Sequence, residues 1–307
     1  MWFWLALVAL LFWSGSDLFS KIGCRDASDR YSHLKMVMAV GLVMGLHAAY
    51  EILIGKTEIN WQIMLTYLPV SALYILSMAI GYLGLRYIEL SISSPICNSS
   101  GALVAVLCLI IGGLDEGITG WTRVAVLGAV ALVCLGVVGL GIVEAREDET
   151  LRAARQEKSN YKYAKSLLAI LLPVIYCLLD ALGTFADSLV LESIPEDSAN
   201  VAYELTFLAV GLCCFVYVVL IKKDRLVPKM EAPKYIGAAF ETAGQFAYIY
   251  AIADSKHVMF SAPIISAYCV ASVIWGRLFL KEKLSWKHYS MIALVAAGIV
   301  ILGIFDI

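Results

Sequence analysis

Asp17 stands in the first apolar stretch of the chain, and its neighbours place it on a polar helix face. Ser14, Asp17 and Lys21 are three and four residues apart, which is the spacing of one face of an α-helix. A carboxylate at membrane depth costs about 2.5–3.5 kcal/mol on insertion scales, so it needs a partner, a proton or water. Two interpretations follow: Asp17 takes up a proton or a cationic group in a cavity, or it pairs with Lys21 one turn further on.

The same spacing returns much later in the chain, at Cys177, Asp180 and Thr184. Thr184 stands where the lysine stood, so Asp180 has no cation one turn away, and this favours a functional role for its carboxylate. Asp187 extends the same helix face. It lies nearer the end of the apolar stretch, and we expect it to be solvated.

A third polar face combines a carboxylate, an amide and a phenol. Glu241, Gln245 and Tyr248 are four and three residues apart, and the corresponding face of the first half carries Tyr74 and Ser77. These side chains either bind a solute or form hydrogen bonds that hold helices together. Glu241 has no acidic counterpart in the first half, which favours a role in selecting the solute.

Two further polar pairs lie in corresponding apolar stretches, Asn98 with Ser99 and Ser266 with Tyr268. Interrupted helices at corresponding places in two halves often mark the binding site of a transporter. Several tyrosines are candidates for stacking on an aromatic solute, with packing or a position at the membrane interface as the alternative for each. They are Tyr82, Tyr248, Tyr250 and Tyr268.

The composition indicates which elements carry these residues. The chain has 307 residues, of which 61% are hydrophobic and 16% charged, and its mean hydropathy is +0.82. Soluble domains are about 45–50% apolar and about 25% charged. Ten apolar windows approach the ~20 residues that a helix needs to cross a membrane. They are Trp2–Ile22, Leu34–Ile54, Ile63–Leu85, Ser91–Gly112, Trp121–Val143, Ser166–Val190, Ala199–Ile221, Tyr235–Ala253, Val258–Leu280 and Ser285–Ile304.

The basic residues predict how these spans face the membrane. Twenty of the 23 Lys and Arg lie at the loops after spans 1, 3, 5, 7 and 9, against Lys56, Arg123 and Lys256 on the other side. Basic loops stay cytoplasmic, so we expect both termini outside the cell membrane. The first span lacks a basic flank and a small-residue cleavage site, so we expect it to be retained and not removed as a signal peptide.

The chain repeats itself. The motif S-S-P-I-C from Ser93 returns as S-A-P-I-I from Ser261, and A-V-G-L from Ala39 returns at Ala209. The further pairs are Glu116 with Glu282 and Gly136 with Gly298. The prolines of the motif, Pro95 and Pro263, fall in first helical turns, where proline is tolerated without a break.

The repeat predicts an all-α integral membrane protein whose ten transmembrane helices form two inverted five-helix repeats. Residues 1–143 form the first copy, residues 144–165 a charged cytoplasmic linker, and residues 166–307 the second copy. Because five is an odd number, the second copy enters the membrane from the opposite side. By this symmetry, Asp17 lies nearer the cytoplasm and Asp180 nearer the outside.

The motifs resemble those of EamA-type transporters of the drug/metabolite transporter superfamily. The residues that carry the resemblance are Gly84–Tyr87 through Ser94-Pro95-Ile96, Ser261–Ile264, and Leu280–Trp286 with Gly298. The resemblance covers nearly the whole chain and implies a transporter of metabolites or drug-like solutes. Members are often described with cytoplasmic termini, whereas the charge distribution here predicts the reverse.

The sequence lacks the motifs of redox, metal-binding and nucleotide-binding sites. The eight Cys show no C-x-x-C spacing, the four His lie in separate elements without metal-ligand spacing, and no phosphate-binding loop occurs. We therefore expect no cofactor, no metal and no nucleic-acid partner. Two small-residue motifs and Gly41-x-x-x-Gly45 permit close helix packing. We expect a monomer, with a dimer as the alternative.

The leading hypothesis is a secondary transporter that moves a small organic solute by alternating access, with coupling to protons as one option. One alternative is a flippase for a lipid or a lipid-linked sugar. The other is an intramembrane enzyme with Asp17 and Asp180 as an aspartyl pair, which lacks the G-x-G-D motif. A cavity lined by Glu241, Gln245 and tyrosines favours a cationic or aromatic solute, and one lined by Lys and Arg favours an anion.

Overall fold

The computed structural model describes residues 1–26, 28–87, 90–111, 120–145, 167–253, 256–280 and 284–304, and all regular structure in these ranges is helical. Residues 146–165 of the linker lie outside the described residues, as do Glu116 and Glu282, the two acidic residues that correspond in the repeat. The helices are α1 (Trp2–Cys24), α2 (Ser32–Tyr50), α3 (Trp61–Tyr87), α4 (Leu90–Cys97), α5 (Ser100–Ile111), α6 (Gly120–Ala145), α7 (Leu167–Val190), α8 (Glu196–Phe215), α9 (Pro228–Ile252), α10 (Val258–Ser266), α11 (Tyr268–Phe279) and α12 (Trp286–Ile304).

Eight segments in the described part of the chain are long and apolar enough to cross a membrane. They are Trp2–Cys24, Ser32–Gly55, Trp61–Tyr87, Ser93–Ile111, Gly120–Leu140, Leu171–Val190, Glu196–Ile221 and Val258–Phe279. Two of the ten predicted spans are not among them. Helix α9 is made more polar by Glu241 and Gln245, which were singled out as candidates, and the apolar part of α12, Trp286–Leu302, is shorter.

The outward surfaces of these helices suit a lipid environment. Large apolar side chains such as Leu46, Leu53, Ile110 and Val300 are more than half exposed. Backbone groups in hydrocarbon must bond within their own segment, which a helix achieves. The chain is therefore a multi-pass membrane protein.

The two halves are interleaved. The broadest helix contacts pair α1 with α9, α3 with α7, α2 with α8 and α6 with α12. Each pair joins a helix from residues 2–145 with a helix from residues 167–304. The space between the halves is consequently walled by both of them.

Glycines at corresponding places allow two of these close approaches. A Cβ on Gly41 would lie 2.7 Å from the carbonyl oxygen of Phe207, and one on Gly211 would lie 3.2 Å from the Cα of Gly41. A Cβ on Gly298 would lie 2.7 Å from the carbonyl oxygen of Ala129 in α6. The repeated glycines therefore serve contacts inside the chain, as small residues do between membrane helices.

Two apolar spans are interrupted, which corrects the expectation for Pro95 and Pro263. Each proline lies inside its helix, and the helix ends at Cys97 or at Ser266, within a turn of the proline. Ser99 explains one break, because its hydroxyl donates to the carbonyl oxygen of Pro95 at 3.0 Å and its amide bonds to Ile96. The breaks occur at corresponding places of the two motifs.

The ends of α2 and α8 also correspond. Both helices widen into π-helical turns, at Glu51–Gly55 and Val216–Ile221. Shortly after each turn, a lysine adopts a left-handed backbone conformation, with φ of 61° at Lys56 and 54° at Lys223.

Candidate functional site

A polar cavity lies between the two halves. It offers about 70 Å³ to the centres of water molecules. One water needs about 10–15 Å³ on this measure, so the cavity has room for about five. It is large enough for a small solute.

Nine of the predicted site residues line this cavity, and they come from both halves. They are Asp17, Tyr74, Asn98, Asp180, Glu241, Gln245, Tyr248, Ser266 and Tyr268. Ser77 and Ser99 are not part of the wall. Ser77 donates to the carbonyl oxygen of Tyr74 at 2.8 Å within α3, and Ser99, in the break between α4 and α5, donates to the carbonyl oxygen of Pro95.

Asp17 is held by hydroxyl groups from two other helices. Ser94 of α4 and Ser272 of α11 both donate to its Oδ2, the latter at 2.8 Å. Lys21, the local partner considered for Asp17, donates from Nζ to the carbonyl oxygen of Leu85 at 2.8 Å. Ser14 of the same face packs away from the cavity wall and accepts a hydrogen bond from Trp275.

Asp180 is held in the same manner. Ser100 of α5 donates to its Oδ2 at 2.7 Å. Each aspartate thus receives a hydroxyl from the second segment of the interrupted span in the opposite half: Asp17 from Ser272 and Asp180 from Ser100. The two carboxylates are neighbours of one cavity and are bound by neutral donors.

Glu241 and Gln245 form the α9 side of the cavity. Ser16 of α1 donates to Glu241 Oε2 at 2.6 Å. Gln245 is only 3% exposed, and its Nε2 has no hydrogen-bond partner among the described residues. Buried polar groups are rarely left without a partner, so this amide is positioned to contact whatever fills the cavity.

Aromatic rings complete the wall. Trp13 lies between Tyr248 and Tyr268, with ring-centroid distances of 4.9 Å and 5.9 Å. Tyr82 also lines the cavity. Tyr250 does not, because its hydroxyl donates to Asp197 at the start of α8.

The expectation that Asp187 is solvated was wrong. Its side chain is fully buried, and it accepts hydrogen bonds from Tyr67 at 2.7 Å and from Tyr74 at 3.2 Å. Tyr74 also bonds to Tyr248, which in turn donates to Thr184 at 3.1 Å. We call these five residues the tyrosine–carboxylate network. Asp187 lies about two helical turns from Asp180 along α7, or about 10 Å, whereas Tyr74, Tyr248 and Thr184 of the network also line the cavity.

A buried ionic cluster lies on the opposite side, about two turns before Glu241 along α9. Lys234 Nζ lies 3.0 Å from Asp29 Oδ2 and 3.2 Å from Glu231 Oε2. Lys35 Nζ lies 3.0 Å from Asp29 Oδ1 and 3.2 Å from Asp224 Oδ2. This ionic cluster links two regions of the chain. One is α2 with the loop that precedes it, and the other is α9 with the loop that precedes it.

Some wall residues were not among the predicted set. Tyr176, Tyr203 and Trp13 line the cavity although each sits in an apolar sequence. Ser94 was noticed only as part of the proline motif, yet it bonds to Asp17. Helical spacing from the two aspartates was the available signal for these residues. Trp13 lies four residues before Asp17 and Tyr176 four residues before Asp180, so each shares a helix face with its aspartate.

The wall is acidic. It carries three carboxylates, and among the described residues that line it there is no Lys, Arg or His. In the same part of the chain, no group of three or more His, Cys, Asp or Glu is arranged to hold a metal ion. The site therefore presents carboxylates, hydroxyls, one amide and aromatic rings to its contents.

Fold and site together define a multi-pass helical membrane protein with a polar cavity between its halves. Residues 167–304 match the model of the EamA-like transporter family. The second half of the chain therefore matches the EamA-like transporters, a family of the drug/metabolite transporter superfamily. The resemblance seen in the motifs is confirmed over these residues, and the match points to a transporter.

Solved structures share the fold. One crystal structure is similar over 98% of this chain and 96% of its own chain, with a TM-score of 0.63 and 13% identity. At this identity the likeness concerns the fold alone. No curated protein matches the sequence.

Proposed function

We propose that this protein is a secondary transporter of a small organic solute and works by alternating access. The observation that carries the proposal is the cavity between the halves, lined by carboxylates from both and bounded by different interactions on its two sides. A binding site near the middle of interrupted helices is the usual arrangement in transporters built from repeats.

The architecture that we propose has ten spans in two inverted five-helix repeats, residues 1–143 and 166–307, with both termini outside. Corresponding helix breaks, π-helical turns and left-handed lysines support the repeat. Asp17 accepts a hydrogen bond from Ser272 of the second half, and Asp180 accepts one from Ser100 of the first half. This reciprocal arrangement supports a two-fold relation between the halves. One chain already contains the complete site, so we propose a monomer as the working unit.

In the mechanism, the halves rock about the cavity and open one side at a time. The tyrosine–carboxylate network closes the side predicted to face outward, and the ionic cluster closes the side predicted to face the cytoplasm. Asp17 and Asp180 bind either protons or the solute. Binding of the solute is therefore linked to the release of protons. The small volume of the cavity favours a small solute over a lipid-linked sugar.

The test uses proteoliposomes that contain the purified protein and a pH-sensitive dye. A panel of small amines, neutral solutes and organic acids is added, and solute-dependent proton flux is recorded between pH 5 and 8. Asp17→Asn and Asp180→Asn are expected to keep the fold and to flatten the pH dependence, because an amide cannot exchange a proton.

Glu192→Gln serves as the control, since Glu192 is exposed on the connection after α7. It removes one carboxylate without touching the cavity and should leave flux unchanged. Unchanged pH profiles in both aspartate variants would remove the proposed proton role. Absence of solute-dependent proton flux across the whole panel would contradict proton coupling, and absence of uptake of the radiolabelled solutes as well would contradict the transporter itself.

A further inference from the structure

We propose that the solute is a small organic cation, an amine with an apolar or aromatic body, which binds with its ammonium group between Asp17, Asp180 and Glu241. This inference deepens the proposed function and rests on the cavity being the solute site. It concerns which chemical class the wall recognises, and several independent features of the wall carry it.

The charge of the wall is unbalanced. The described donors to the three carboxylates are the hydroxyl groups of serines, which stabilise negative charge but do not neutralise it. Lys21, the nearest cation along α1, lies outside the wall and bonds to the carbonyl oxygen of Leu85. Carboxylates enclosed by protein need a cation or protons. An ammonium group supplies the missing charge.

An unpartnered amide lies next to this charge. Gln245 is one turn from Glu241 on the same helix face, and its Nε2 is buried without a partner. Because Nε2 is a hydrogen-bond donor, it recognises an acceptor on the body of the ligand, such as the face of an aromatic ring, and not the ammonium group itself. The wall is therefore incomplete at a point directly beside a carboxylate.

The aromatic side of the wall suits the remainder of such a molecule. Trp13, Tyr248 and Tyr268 form a run of rings with centroids 4.9 Å and 5.9 Å apart. Cations bind favourably over such rings, best over tryptophan, and apolar bodies pack against them. An organic anion is repelled both by the carboxylates of this wall and by the negative faces of its aromatic rings.

The size of the cavity sets the size of the amine. Room for about five waters corresponds to roughly 150 Å³ of molecular volume, at about 30 Å³ per water. This volume suits a single ring with a short aminoalkyl chain. Three compounds of that size share one ring and differ in head group: 2-phenylethylamine is cationic, 2-phenylethanol is neutral and phenylacetate is anionic.

The first experiment measures the binding of these three compounds to the full-length purified protein by isothermal titration calorimetry. The amine is expected to bind at least ~10-fold more tightly than the alcohol, since hydrogen bonds to charged groups are the stronger ones. Phenylacetate is expected not to bind. Equal binding of amine and alcohol, or tighter binding of phenylacetate, would overturn the proposal.

The second experiment assigns the binding to the carboxylates. Glu241→Gln and Asp17→Asn are each expected to weaken amine binding by about 10- to 100-fold and to leave binding of the alcohol nearly unchanged. Glu241→Asp keeps the charge and should retain more of the amine affinity than Glu241→Gln. Glu192→Gln, an exposed carboxylate, should change neither compound. A variant whose affinity for the amine and for the alcohol falls by the same factor would contradict a charge-specific role.

The same compounds separate this inference from the transporter proposal. Amine binding without amine flux in proteoliposomes would support the ligand class and contradict transport. Flux of neutral or anionic solutes without amine binding would support transport and overturn the ligand class. Amine flux that stops in Glu241→Gln would support both.

Discussion

The two sides of the cavity are closed by different chemistry. On the side predicted to be cytoplasmic, the ionic cluster packs two lysines against three carboxylates, and Lys234 is completely buried. On the side predicted to face outward, Asp187 is held by phenol groups, without a cation among the described contacts of the tyrosine–carboxylate network. Asp187 and Lys234 each lie about two helical turns from a cavity carboxylate on the same helix.

The difference has an energetic consequence. Separating buried charges leaves each of them unpaired in a medium of low polarity, which is costly. Breaking a hydrogen bond between a phenol and a carboxyl group has a typical net cost of about 0.5–3 kcal/mol, because water can replace the partner once the side opens. We therefore expect the outward side to open more readily than the cytoplasmic side.

The largest effect is expected from Lys234→Met. Lys234 lies 3.0 Å from Asp29 and 3.2 Å from Glu231, and removing it leaves those carboxylates without one of their two lysines. Breaking a buried ion pair costs about 3–5 kcal/mol. The free energy of unfolding, measured in bicelles, should fall by this amount.

The matched control is Lys229→Met, on the same helix at an exposed position. A surface change of this kind should stay within about 0.5 kcal/mol. Similar losses for the two lysines would show that the ionic cluster contributes little, and the contrast between the two sides would disappear.

Several parts of this arrangement were predictable from local patterns. Asp17, Asp180 and Glu241 were found because each interrupts an apolar stretch with helical spacing, and all three meet in one cavity. Helical periodicity and the repeat are properties of nearby residues or of the sequence compared with itself. The cavity-facing sides of α1, α7 and α9 follow from them.

The two barriers were not predictable in this way. Asp187 is buried by Tyr67, which is 120 residues away, and Lys234 is paired with Asp29, which is 205 residues away. In a hydropathy pattern, charged residues such as these mark the ends of apolar spans and are expected to be solvated. For the same reason α9 was expected to begin at Tyr235, whereas it begins at Pro228 and its first turns carry buried Glu231.

A second prediction makes the same chemical change on both sides. Asp29→Asn removes the negative charge shared by Lys35 and Lys234 and should cost about 3 kcal/mol. Asp187→Asn keeps an oxygen that still accepts a phenol hydrogen bond, and should cost about 1 kcal/mol. Unfolding of both variants under one condition gives the comparison directly, and a larger loss for Asp187→Asn would reverse it.

The smallest effect, and the most specific one, concerns opening and not unfolding. Tyr67→Phe removes one of the two phenol donors to Asp187 and keeps the ring in place. A loss of about 1 kcal/mol corresponds to about a fivefold rise in the open population. Hydrogen exchange read by mass spectrometry should then quicken in α7 around Asp187 and stay unchanged around Asp29 and Lys35. Since this variant leaves the ionic cluster intact, faster exchange on the cytoplasmic side would mean that the two barriers open together, and access from the two sides would not alternate.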